Sequence, residues 1–339
     1  MLRRHLIAFG GIVLTGVPVD KLGQRLEELG ELPPVALPSQ LTAAHVTQVG
    51  ELTRSLRDLS RAHGSNPELS SAAADLATRL LDLPGAEPVK QALKIAAARQ
   101  RLQAGWAAFD AGLYHHALHH YAQALELATA AGDPYSQALA LGYAGLACIE
   151  HGHPDDGLKM LQFGQLTAQN IPPGEEPTLA VGVSTGVAVE ACALADSALA
   201  LISLGCPDAA FRELAKGRNL WLPTRTDPSG DLDHVAARLE LDRGRLDTAE
   251  QFAVASARRW EGSLNQRAAA GSGIVLATIY VQAGDSRGLH LAHNAINHVT
   301  KLTSVRTRRQ LVPLIAALET RPGTDAKELA RKARQVAAA

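Results

Sequence analysis

Apolar residues recur along the chain at three- and four-residue spacing, and the breaks fall at Gly, Pro, Asp or Asn, a rhythm that predicts amphipathic helices and almost no strand. Leu41, Val46, Val49, Leu52, Leu56 and Leu59 mark one face of a helix over Gln40–His63, and Gly64-Ser65-Asn66-Pro67 ends it. A second helix is expected over Glu68–Leu83 and a third from Glu87-Pro88 to Ala111. Five anchors then repeat the same punctuation: Gly112, Gly152, Gly205, Gly244 and Gly284, at intervals of 40, 53, 39 and 40 residues. Self-similarity at such a period is the signature of a helical solenoid. The one long interval contains a loop insertion at 170–178, read from Asn170-Ile171-Pro172-Pro173-Gly174-Glu175-Glu176-Pro177.

Each anchor is flanked by small residues at fixed offsets. Gly105, Gly145, Ala198, Ala237 and Ala277 precede the glycines by seven positions; Ala117, Gly157, Ala210, Ala249 and Leu289, all small but the last, follow by five. These pairs are expected to be the points where the two helices of a hairpin approach most closely. The chain is thus read as 1–38 apolar helices and a Pro-rich linker, 39–97 a divergent helical segment, 98–302 five hairpins, and 303–339 a helical cap.

The best unit is Gly105-Trp106, then Gly112-Leu113-Tyr114-His115-His116-Ala117, then Tyr121, Ala124 and Leu125; it resembles the tetratricopeptide repeat at its small and aromatic positions. The resemblance implies an all-α, right-handed α-solenoid. In the wider layout, Arg3-Arg4 and Leu6 with Gly10-Gly11, then Phe109-Asp110 and Ala131-Gly132-Asp133, are similar to the region after the DNA-binding domain in actinobacterial helix-turn-helix regulators. That resemblance implies a signal-sensing or adaptor module without direct promoter binding, related to transcriptional regulation.

Composition narrows the classes further. The chain is 46% apolar but only 4% aromatic, so its helices pack through small side chains. Lys plus Arg total 33 against 34 Asp plus Glu, leaving no global field for phosphate backbones and hence no expected direct nucleic-acid partner. Cys148, Cys192 and Cys206 lack the close pairing of a zinc site and suit a reducing cytoplasm. No small-x-small cleavage site follows the Arg3-Arg4 start before the Asp20–Leu32 helix, so Ala8–Val19 is expected to dock on the body as a short helix. Leu179–Gly205 is interrupted by Glu190 and Asp196 and is not expected to enter a membrane.

The candidate chemistry is sparse. His115, His116, His119 and His120 have metal-ligand spacing but no carboxylate or Cys to complete a set, so they are read as a solvated face with no metal. Glu150, His151, His153, Asp155 and Asp156 straddle a turn where Pro154 opens a helix and the acids suit its positive end. Arg306, Arg308 and Arg309 are expected on a solvated face. With no phosphate loop, nucleophile elbow or HExxH, no enzyme and no cofactor are expected.

What remains is a groove. If the first helices line a concave face, the residues turned into it are Arg99, Gln103, Trp106, Asp110, Tyr143, Leu146, Glu150, Asp196, Leu199, His234, Arg238 and Thr278. Such a mixed surface suits a protein or peptide partner, or an amphipathic small-molecule signal. Two other organisations are compatible with the same text: a scaffold that self-associates as a homodimer through its end hairpins, and a pathway enzyme built on helical repeats.

Overall fold

The computed structural model describes residues 37–172, 185–221 and 229–339. The expected N-terminal helices, the Pro33-Pro34 part of the linker and most of the 170–178 insertion lie outside them. The described residues are all-α, with no strand.

Two leading helices, α1 (Ala43–His63) and α2 (Pro67–Arg79, with a 3-10 turn over Leu80–Asp82), precede the repeats. Five consecutive hairpins follow: α3 (Glu87–Asp110) with α4 (Tyr114–Ala131), α5 (Pro134–Glu150) with α6 (Pro154–Ala168), α7 (Thr185–Ser203) with α8 (Pro207–Trp221), α9 (Ser229–Asp242) with α10 (Leu246–Trp260), and α11 (Gln266–Gln282) with α12 (Gly288–Val299). A cap of α13 (Val305–Arg309), α14 (Val312–Thr320) and α15 (Thr324–Ala338) completes the stack. This is an all-α solenoid of tetratricopeptide-like hairpins.

The five anchor glycines all adopt positive φ, between 70° and 90°, where a side chain would be strained. Each sits in the same hydrogen-bonded exit from the first helix. Leu113 N–H donates to the Ala108 carbonyl, and His153 to Cys148, Cys206 to Leu201, Arg245 to Glu240 and Asp285 to Tyr280, at 2.8 to 3.1 Å. This 6→1 bond is the Schellman closure, which satisfies a carbonyl the ending helix leaves open.

The small pairs hold the helices together. A Cβ at Gly105 would lie 2.4 Å from the Tyr121 ring, and one at Gly145 would lie 2.8 Å from the Gly157 carbonyl. Ala117, Ala198, Ala210, Ala237, Ala249 and Ala277 are all fully buried. The last unit departs from the expected register. There Gly288, one residue before Leu289, meets the Tyr280 backbone, because α12 begins at Gly288 and its first turn lies directly on α11.

Helix α7 is long and apolar enough to cross a membrane by length and composition over Gly186–Ser203. It is packed against α5, α6, α8 and α9, and Glu190 on it accepts from Gln169 Nε2 at 2.7 Å. Its apolarity belongs to the stack's interior.

The solenoid also joins its own ends. Helix α1 packs on α11 and α13 packs on α3. Thr303 N–H donates to the His63 carbonyl at 2.9 Å, and the close approach of Thr303 leaves no room for a Cβ at Gly64.

Candidate functional site

The first helices of the hairpins carry the predicted groove residues, and the joined ends change what surrounds them. Asp110, at the last turn of α3, is 1% exposed and accepts from Ser65 N–H at 3.2 Å, from Ser304 Oγ at 2.7 Å and from Arg267 at 3.1 Å. Its partners come from the α1–α2 loop, the segment after α12 and the start of α11. Asp110 is therefore a structural knot between the two ends of the array.

Glu150, at the end of α5, is held by Arg306, whose Nε and Nη2 reach Oε1 at 2.9 and 2.7 Å. The two side chains are only 21% and 26% exposed. The Arg306 guanidinium also lies 5.0 Å from the Phe109 ring centre and 5.7 Å from that of Trp106, within cation–π range. Burial works against its charge. The Glu150 carboxylate, with Asp110 and Asp196 behind it, more than offsets this and holds its pKa above the ordinary arginine value.

Arg309 is exposed as expected, but Arg306 and Arg308 are half-buried, against the expectation of a solvated face. Arg308 donates to the Leu302 carbonyl at 3.3 Å and Arg309 to the Tyr114 hydroxyl at 2.6 Å. The short helix, pinned between repeats, leaves Arg309 in solvent and turns Arg306 and Arg308 onto its neighbours.

Between these ties lies an aromatic and polar surface. Trp106 is half-buried, its ring 5.0 Å from that of Tyr143, and Arg267 stands 5.5 Å from its centre. Tyr143 in turn lies 5.8 Å from Tyr121. The Tyr121 hydroxyl and the Gln103 amide nitrogen are buried without a hydrogen-bond partner. Burial, then the neighbouring Tyr143, pushes the Tyr121 hydroxyl well above its ordinary pKa, so it stays protonated.

On α9, His234 and Arg238 stand one turn apart and half-buried. Burial, then the Arg238 and Arg306 cations, push the His234 pKa down to about 3, so the ring is neutral. Burial also lowers the Arg238 pKa, with Glu150, Asp242 and Asp196 restoring part of it. Asp196 on α7 is half-buried and acts on both Arg238 and Arg306.

The remaining candidates sit apart. Arg99 pairs with Asp133 at 3.6 Å and stands over the Tyr135 ring at 5.6 Å, toward the start of α5. Leu146 and Thr278 are buried in the packed layers, with Thr278 Oγ1 returning to the Ile274 carbonyl, and Leu199 fills space between hairpins. Sequence reasoning placed Tyr121 in the repeat motif but not on this face, and missed Arg267 and Arg57. Arg57 on α1 is half-buried beside Tyr143 and Tyr135, and burial lowers its pKa.

The histidine cluster also divides. His115, His116 and His119 are exposed as expected, but His120 is 6% exposed. Among the described residues no group of three His, Cys, Asp or Glu could hold a metal ion. His120 Nε2 is 3.3 Å from Ser71 Oγ, and its Nδ1 is 3.3 Å from Arg101 Nη1, which is itself paired with Asp75 at 2.8 Å. The contact resembles a nucleophile–base pair but is oriented the wrong way. Arginine only donates, so Nδ1 must accept and Nε2 carries the proton toward Ser71. Burial, then Arg101, lower the His120 pKa to about 4. It cannot take a proton from that serine.

No protein-family model matches the chain, and no curated protein matches it in sequence. Its architecture is similar to that of a solved Rap protein complexed with competence and sporulation factor. The TM-score is 0.55 and the identity 12%, over 94% of this chain and 80% of that one, a likeness of fold.

Proposed function

We propose that this chain is a non-catalytic binding module, a signal-sensing or adaptor protein whose inner face takes a protein or peptide partner, related in role to the regulatory regions of transcription factors. One observation carries the reading. Trp106, Tyr143, Asp196, His234 and Arg238 come from four successive first helices; the first two are in ring contact, the other three act on or are acted on by Arg306, and among the described residues no nucleophile there stands beside a competent base. Large aromatic and Arg side chains supply contact area at low entropy cost, which is what recognition surfaces use. The fold neighbour was solved in complex with competence and sporulation factor, which supports a protein or peptide partner for this architecture.

The test is capture of ligands from the native host on the immobilised chain, followed by titration of whichever species is identified. Tyr143→Ala should weaken that species at least about tenfold, roughly 1.4 kcal/mol, with little change in melting temperature. Unchanged affinity would move the site elsewhere on the solenoid. Turnover of the ligand would overturn the non-catalytic assignment.

A further inference from the structure

The stretch between Leu302 and Leu311 is held differently from the rest of the cap. Leu302 and Leu311 are buried in one apolar cluster with Leu314, Leu318 and residues of α11, α12 and α15. Within α13, between them, only Thr307 is buried. The ties of this stretch to the first two hairpins are mostly polar. Ser304 Oγ donates to Asp110 at 2.7 Å, Arg306 to Glu150 at 2.7 to 3.1 Å, and Arg309 to the Tyr114 hydroxyl at 2.6 Å. Another chain presenting the same groups can remake such bonds, while the apolar anchors on either side keep the stretch tethered.

The place that Arg306 fills has the form of a guanidinium site. Its Nε lies 2.9 and 3.1 Å from the two Glu150 oxygens and its Nη2 lies 2.7 Å from one of them. Its flat face stands 5.0 Å from the Phe109 ring centre and 5.7 Å from that of Trp106. On Trp106 a second cation, Arg267, stands at 5.5 Å and is held by Asp110 at 3.1 Å. Without Arg306, a half-buried carboxylate would remain beside two aromatic rings. That combination selects a planar cation, because the arginine fork matches a carboxylate and its face stacks on a ring, whereas lysine offers a point charge. An acidic ligand would be repelled by Glu150.

We infer that residues 304–309 are an exchangeable internal occupant of the inner face, and that the partner replacing them is an arginine-bearing peptide segment whose guanidinium docks on Glu150, Phe109 and Trp106. This rests on the binding-module reading above and names the partner's chemistry at one end of that surface. A tethered occupant competes at an effective concentration of order millimolar. The chain therefore excludes weak cationic peptides and yields to one that matches more of the face. Because Arg306 also ties the cap to α5, exchange loosens the closure of the solenoid.

The experiment titrates a synthetic, end-capped octapeptide with the sequence of residues 303–310, Thr-Ser-Val-Arg-Thr-Arg-Arg-Gln, into the full chain. A control peptide carries Ala in place of Arg306 and keeps the other two arginines, so it reports non-specific attraction. Arg306→Ala should bind the octapeptide at least about tenfold more tightly than wild type, since its site is vacant. Adding Glu150→Gln should remove that gain, and the control peptide should show none. Should Arg306→Ala fail to fold, Arg306→Lys takes its place, with a smaller gain in the same direction. An octapeptide bound no more tightly by the variant than by wild type, or a gain that survives Glu150→Gln or appears with the control peptide, would overturn the exchange. The binding-module reading, tested separately through Tyr143, would then still stand. Loss of the fold in both Arg306 variants would make the stretch an integral part of the core and overturn the exchange as well.

Discussion

At the residue scale, His120 shows how one neighbour decides a side chain's chemistry. It shares a helix with three exposed histidines, yet it turns onto Ser71 and Arg101. Its folded pKa of about 4 lies below the ordinary 6.5 of an unfolded chain. Between those values the unfolded state binds more protons, so stability is fully present above about pH 6.5 and is lost as pH falls toward 4. Urea titrations across that window should show a smaller pH slope for His120→Gln than for wild type. An identical slope would mean the ring titrates normally.

At the scale of the element, each hairpin depends on a small residue that lets two helices touch. Ala117 and Ala249 are fully buried at these contacts. Ala117→Leu and Ala249→Leu should each cost about 1 to 3 kcal/mol, because added methylenes force backbone shifts at a contact that cannot yield. Urea midpoints equal to wild type in both would place these alanines at the surface and break the repeat register. Register also explains what was missed on α11. Before Gly112 the inner face read from the sequence runs 2, 6, 9 and 13 residues back, at Asp110, Trp106, Gln103 and Arg99, and the other anchors were read at some of these offsets or, for His234, at 10. One more turn back gives 17, and 284 minus 17 is Arg267. The signal for Arg267 was present in that periodicity, one turn beyond where the face was drawn.

At the scale of the molecule, the joined ends turn an open stack into a closed one. Arg306 is the charged tie between the cap and α5, and removing it leaves Glu150 without its cation while Trp106 and Phe109 lose a cation–π partner. Arg306→Ala should therefore destabilise the fold by about 1 to 3 kcal/mol and enlarge the radius of gyration seen by small-angle scattering. In a double-mutant cycle with Glu150→Gln, the two losses should be less than additive. Strict additivity with unchanged dimensions would mean the cap is held by its apolar packing alone.

Much of this was written in the sequence alone: helices from the three- and four-residue rhythm, five turns from glycines that alone tolerate positive φ, and close helix contacts from small residues at fixed offsets. Those are local rules, legible because each repeat restates them. The fate of the inner face was decided only by tertiary structure. Arg306 and Glu150 are 156 residues apart and Ser304 and Asp110 are 194 apart, so no local period links them. Their meeting depends on the curvature accumulated over five hairpins. That curvature buries Asp110 and ties Glu150 to the cap.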